Sequence, residues 1–239
     1  MKRFLSTLLI SLLISLLSSA NLKAQTSTVG GVPVVIRNVV TDDCGGGTRF
    51  TNNTIASGAT ITFSTTGQEI ITSATAGGNG KSRIVMTTSY SPFDGNITFT
   101  AIIQAEVEGT NYHCFVGVGS PNAAAADITM TGKNIGFEFD RSAGTTTAYA
   151  SCANGATQTR TAMTGFTSGT DIVFTFVKKG TASVDFYVDG TYKCTITTNI
   201  PSSTNTGFFG QSISNRNTAS STIFNVGNYY WEKTFNSTK

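Results

Sequence analysis

Charge is what this chain has least of. Asp, Glu, Lys and Arg make up 12% of its 239 residues, too few for an ordinary helical cytosolic protein. It has one histidine, His113, and no two of its four cysteines are spaced C-x-x-C, so a zinc site is not expected. A Ser-His-Asp or Cys-His site would have to use His113, which has no motif around it and reads as an ordinary packed or exposed strand residue. Heptads, long helical patterns and internal repeats are absent. Beyond the N-terminus no run is apolar enough to cross a membrane.

The N-terminus carries the one long apolar run. Lys2-Arg3 precedes Phe4 to Leu17, and Ser18-Ser19-Ala20 or Leu22-Lys23-Ala24 supplies small residues for cleavage near Ala20 or Ala24. This pattern predicts a secretory signal peptide over 1–24 and a mature protein outside the cytoplasm, secreted or periplasmic. Its removal takes away Lys2, Arg3 and Lys23, leaving 13 basic against 13 acidic side chains. With no net charge and no basic patch, a nucleic-acid partner is disfavoured, and no membrane insertion is expected after cleavage. Cys44, Cys114, Cys152 and Cys194 all lie in the exported part. An even number in a secreted chain predicts two disulfides of undetermined connectivity. Cys114 and Cys194 sit on the apolar sides of their strands, so buried free thiols are the alternative.

What the sequence does have is Thr, Ser, Gly and Asn, with 39% hydrophobic residues arranged with period two. Thr170 to Ser203 reads as three short strands. Ile172, Phe174 and Phe176 share a face, and Lys178-Lys179-Gly180 breaks the run. Val184, Phe186 and Val188 then alternate with Asp185 and Tyr187. Asp189-Gly190 predicts a hairpin turn with positive φ at both residues. Tyr192, Cys194 and Ile196 follow on the apolar face, and Pro201 stops the ladder. Upstream, strands are predicted at Val32–Ile36, in two pieces around Thr66-Gly67, and at Lys81–Ser89. Asn96–Glu108, Tyr112–Val118, Ile135–Asp140 and Thr145–Ala153 continue the series, and Thr206–Gln211 and Thr222–Thr234 close it. Loops are expected at Asp42–Gly47 and Thr75–Gly80, and the Ala123–Ala126 tract could form one helical turn. So many short strands with one greasy and one wet face predict an all-β, two-sheet antiparallel sandwich of jelly-roll type. Residues 25–80 are expected to be part of the sandwich or packed on it, and 81–239 to form its body.

The order FVGVG, IGFEFD, a strand carrying Tyr149, the hairpin VDFYVDGTYKCTITTNIPS and a last aromatic strand NVGNYYWEKT resembles the concanavalin A-like lectin/glucanase superfamily. The likeness is in its laminin-G-like or pentraxin-like style, over about Lys81 to Thr234. It implies a jelly roll that binds glycans, sometimes through calcium, or hydrolyses them. Similar modules occur in secreted bacterial and phage structural proteins, so an adhesive or structural part of an extracellular or virion-type assembly is the alternative. The retaining glucanases of this superfamily carry Glu-x-Asp-x-Glu on one strand, which is missing here. The nearest runs are Gln104-Ala105-Glu106-Val107-Glu108 and the pair Glu138 and Asp140. Solvated carboxylates on a half-wet sheet account for both, and catalysis is not expected. Glycan binding stacks aromatic faces on sugar rings beside polar groups in a shallow groove. Tyr149, Tyr187, Tyr230 and Trp231 are the aromatics on polar faces or strand ends, and Asn154 is the side-chain amide nearest Tyr149. Calcium would need converging oxygens, for which Asp94, Glu138 and Asp140 are candidates. The expected partner is a glycan or another cell-surface ligand.

Overall fold

The computed structural model describes residues 34–42, 51–54, 60–64, 67–71, 81–88, 93–105, 111–119, 132–142, 145–167, 169–202, 207–214 and 223–237. All regular structure among them is strand. In chain order these are β1 (Val34–Asp42), β2 (Thr51–Thr54), β3 (Thr60–Ser64), β4 (Gly67–Ile71), β5 (Lys81–Thr88), β6 (Asn96–Ala105), β7 (Tyr112–Gly119) and β8 (Asn134–Ser142). They continue with β9 (Thr145–Ala153), β10 (Gln158–Met163), β11 (Ile172–Lys179), β12 (Ser183–Val188), β13 (Thr191–Ile196), β14 (Gly207–Ser214) and β15 (Ile223–Ser237).

Two antiparallel sheets result. Sheet I runs β13-β12-β11-β6-β15-β4-β3, with β1 also on β15; sheet II runs β10-β9-β8-β7-β14-β5-β2. The long β15 pairs with β4 through Ile223–Val226 and with β1 from Tyr229 to Ser237, so both occupy its side away from β6. Strands from the first ninety residues thus enter both sheets. The chain is an all-β jelly-roll sandwich.

Side chains from the two inner faces interdigitate, as packed sheets require. Phe137 and Phe139 of sheet II meet Phe174, Phe176 and Phe186 of sheet I. Phe137 lies 5.1 Å from Phe174 and edge-on to Phe186 at 5.5 Å, and Phe139 is edge-on to Phe174 at 5.2 Å. Phe99 stacks on Phe176 at 5.1 Å. All six rings are fully buried.

The meander has the expected Asp189-Gly190 turn, with φ of 48° and 72°, and Asp189 Oδ1 accepts from Val173 N at 2.9 Å. Two of its details differ from expectation. Lys178 does not break β11; it continues the inward row and is buried, its Nζ donating to Phe93 O at 2.7 Å and Gly95 O at 3.2 Å. Tyr192 does not share the inner face. Phe186 opposes Cys194 but Tyr187 opposes Tyr192, so Lys193 is an extra residue in a β-bulge and Tyr192 turns outward. Strands β2 and β10 were not foreseen, because neither has a continuous apolar face. The expected helical turn at 123–126, the glycine loops, and the acids Glu106 and Glu108 lie outside the described residues.

The disulfide expectation is also corrected. Cys152 and Cys194 are free thiols. Cys152 sits in the core and Cys194 packs against it, so both serve as small apolar side chains. Burial pushes both thiols up from the ordinary value, with the proximity of the two adding for Cys152. Cys114 is buried in the same core, and Cys44 lies outside the described residues.

Candidate functional site

Turning Phe137 and Phe139 inward sends Gly136, Glu138 and Asp140 to the outward face of sheet II. The antiparallel register then fixes their neighbours. On β9, Ser151 opposes Gly136 and Tyr149 opposes Glu138; on β10, Arg160 opposes Ser151. On β7, Phe115 opposes Glu138 and His113 opposes Asp140. A Cβ on Gly136 would come within 2.8 Å of the Phe115 ring, so the glycine lets that ring lie close against the sheet beside Glu138.

Glu138 has no exposed surface and His113 is 3% exposed. A carboxylate enclosed this way has to be met by donors. His113 Nε2 lies 3.0 Å from Oε2 and Arg160 Nη1 lies 3.6 Å from the same oxygen. Gln158 Nε2 donates to Oε1 and, at 3.0 Å, to Ser151 Oγ. Arg160 reaches outward as well: Nη2 is 3.5 Å from Asp140 Oδ2, and its guanidinium carbon sits 4.0 Å over the Tyr149 ring centroid. With 39% of its side chain exposed, Arg160 is the accessible part of this cluster, and Glu138 is the anchor beneath it. A guanidinium has five N–H donors, and two long carboxylate contacts do not use them all. The chemistry presented is a fixed aromatic ring, spare N–H donors and an acceptor carboxylate on a sheet face.

The structure thus brings Tyr149, Glu138 and Asp140 together, and it divides the other candidates. Tyr187 and Tyr230 belong to sheet I, on its outward face: Thr100 and Thr175, whose hydroxyls meet at 3.0 Å, lie between them in the ladder. Tyr230 donates to Glu232 at 2.6 Å. Trp231 opposes Phe99 in the β15–β6 ladder. Asn154 is taken up by its own turn. Its Oδ1 accepts from Ala156 N and Thr157 N at 3.0 Å each, and its Nδ2 donates to Asn199 Oδ1 at 3.1 Å. Thr157 also donates to Asn199, and Asn199 Nδ2 donates to Thr159. These bonds join the β9–β10 turn of sheet II to the end of β13 in sheet I. Asp94 stands in the turn before β6, apart from Glu138 and Asp140, and no three His, Cys, Asp or Glu side chains converge to hold a metal ion among the described residues. The sequence reading missed Ser151, Gln158 and Arg160, and took His113 for an ordinary strand residue outside any site. Their signal is cross-strand register, which a single strand's pattern does not contain.

No protein-family model matches the chain, and no curated protein matches it in sequence. Solved structures do match it in shape. It is similar to a Shewanella oneidensis protein of unknown function, with TM-score 0.56 and 11% identity over 90% of this chain and 92% of the other. It is similar to the lumenal domain of VIP36 in a Ca2+- and Man2-bound form, with TM-score 0.55 and 8% identity over 84% of this chain and 89% of that one. A third is a GH16 protein of the Bacteroides ovatus mixed-linkage glucan PUL in complex with a G4G4G3G product, with TM-score 0.52 and 12% identity over 82% and 99%. At such low identities the likeness is one of fold, and the fold is the concanavalin A-like jelly roll.

Proposed function

We propose that this chain is a secreted, non-catalytic β-sandwich that binds carbohydrate on the outward face of sheet II. One observation carries the reading: the partly exposed Arg160 guanidinium is held over Tyr149 and between two carboxylates, at the surface of an otherwise buried polar cluster. Preorganised donors suit hydroxyl-rich sugars: the Tyr149 ring holds the guanidinium from one side, and the N–H groups left over meet the sugar hydroxyls. Neutral glycans fit better than anionic ones. The described charges here are Glu138, Asp140 and Arg160, and the cation is already shared by two carboxylates.

Hydrolysis fits poorly. A glycosidase needs two carboxyl groups free to reach the scissile bond from opposite sides. Glu138 is enclosed, with both oxygens engaged, and shares Arg160 with Asp140 on the same strand face. The signal-peptide-like residues 1–24 support export. The VIP36 structure holds calcium; the face proposed here is built from Tyr149 and Arg160, and binding through it is proposed to be independent of a metal. A glycan array probed with the purified protein, with and without EDTA, tests this. The expected result is saturable binding to one class of neutral glycan that survives the chelator. Absence of binding across the array, together with a large defined assembly in light scattering, would instead favour a structural role.

A further inference from the structure

Tyr192 is the one large hydrophobic side chain exposed among the described residues, at 55%. The Lys193 bulge turns it outward, and its neighbours then fix it. The ring packs edge-on against Tyr187, centroids 5.9 Å apart. Its hydroxyl meets Thr195 Oγ1 at 2.9 Å, Thr195 donates to Asp185 Oδ1 at 2.6 Å, and Asp185 is held by Lys179 Nζ at 2.5 Å. An exposed ring fixed before any ligand arrives loses little freedom on binding.

The register places it at the end of a row. Tyr192, Tyr187, Thr175, Thr100 and Tyr230 stand side by side, one on each of five neighbouring strands. At about 4.8 Å between strands the row is roughly 19 Å long. It therefore presents rings at both ends and hydroxyls between them, straight across sheet I.

We infer that this row is a second carbohydrate contact, in which Tyr192 takes the C–H face of one residue of a neutral glycan and the threonine hydroxyls, roughly 10 Å and more along the row, meet the hydroxyls of the residues that follow. The inference rests on the carbohydrate reading above and extends it. The row lies on the outward face of sheet I, on the opposite side of the sandwich from Arg160, so one molecule engages two glycan strands and bridges them. A protein partner suits the row less well. Interface cores are contiguous and apolar, whereas this row interleaves its rings with hydroxyls and is flanked by the Lys179–Asp185 pair. Strand pairing along β13 is opposed by the bulge and Lys193 at that edge.

The test is native electrophoresis of the purified protein in gels containing barley mixed-linkage glucan, glucomannan or yeast α-mannan, with turbidity and light scattering in the same polysaccharides. Tyr192→Ala is expected to weaken retention roughly three- to tenfold and to abolish cross-linking turbidity, with an unchanged thermal midpoint. Tyr192→Phe keeps the ring and its edge-on contact with Tyr187 but loses the hydroxyl bond to Thr195, and is expected to fall between wild type and Tyr192→Ala. If Tyr149→Ala loses retention while Tyr192→Ala retains and cross-links like wild type, this inference is overturned and the sheet II site stands. The converse pattern keeps the row as a carbohydrate contact but removes the sheet II site, and with it the bridging part of the inference. If Tyr192→Ala alters only the protein's own oligomeric size, the row is a protein contact and the inference fails. No retention of the wild type in any gel overturns both readings.

Discussion

His113 Nε2 lies 3.0 Å from Glu138 Oε2, both side chains buried on the outward face of a sheet. The pair is the base of the polar cluster that carries Arg160 and Gln158. Removing the carboxylate takes a shared acceptor from His113, Arg160 and Gln158, of which Arg160 keeps Asp140 and Gln158 keeps Ser151; losing a hydrogen bond to a buried charged group costs about 1.5–3 kcal/mol. Glu138→Ala is expected to lose stability on that scale in urea unfolding. A loss under about 1 kcal/mol would show that water replaces the carboxylate and that the cluster is not an anchor.

Lys178 has a comparable role inside the sandwich. Its ammonium satisfies the carbonyls of Phe93 and Gly95 in the turn before β6. Lys178→Met fills the space without the donor, and each carbonyl left unsatisfied costs about 1–3 kcal/mol. The variant is expected to unfold at lower urea, with the largest gain in amide hydrogen exchange at residues 93–97. Wild-type exchange there would contradict the assignment.

The Lys179–Asp185 pair sets a pH dependence. Hydrogen bonds from Lys179, then Thr195, hold the Asp185 carboxyl below the ordinary value of 3.8, and Asp185 in turn raises Lys179 above 10.5. A depressed carboxyl stabilises the fold above its unfolded pKa and loses that contribution as pH falls through the folded one. A raised amine stabilises below its unfolded pKa and loses that contribution as pH rises through the folded one. The thermal midpoint of Asp185→Asn should therefore fall below wild type near neutral pH. The gap should close at strongly acid pH and, separately, at strongly alkaline pH. It should also shrink with salt, because Lys179 is exposed. A gap independent of pH would mean that Asp185 acts through packing.

Much of the fold is legible in alternation alone. Ile172, Phe174 and Phe176, then Val184, Phe186 and Val188, declare one inner face, and Asp189-Gly190 declares its turn. The alternation fails where a residue is inserted: the Lys193 bulge reverses Tyr192 with no sequence mark, since Lys is ordinary at either register. It also fails for Lys178, whose charge reads as a surface residue until the Phe93 and Gly95 carbonyls are placed against it. The site is less legible than the fold. Tyr149, Glu138 and Asp140 can be picked out one by one as an aromatic and two acids on the polar side of their strands, but the expectation that Glu138 is a solvated carboxylate fails, because the side chain is fully enclosed. What binds them is Arg160 and Gln158 on β10, whose run Gln158-Thr159-Arg160-Thr161 has no apolar side to announce a strand. Asn154 looks like a ligand amide in sequence, and the turn it closes consumes its hydrogen bonds.

The thiols give an independent check on the core. Burial raises both Cys152 and Cys194, so the thiolate that reacts with alkylating agents is scarce in the folded state. Both are expected to resist iodoacetamide in the native protein, Cys152 more than Cys194, and to label fully after unfolding without a reductant. Absence of labelling at both after such unfolding would show that they are bridged.

The central claim is that Arg160 and Tyr149 form a binding face for neutral glycan. It is tested most directly by Arg160→Ala and Tyr149→Ala in direct titration with whichever neutral oligosaccharide the array selects, with thermal midpoints recorded alongside. A hydrogen bond involving a charged group contributes about 1.5–3 kcal/mol. Arg160→Ala is therefore expected to weaken binding roughly ten- to a hundredfold, and Tyr149→Ala to weaken it severalfold, in protein that remains folded. Wild-type affinity in both folded variants would contradict the account.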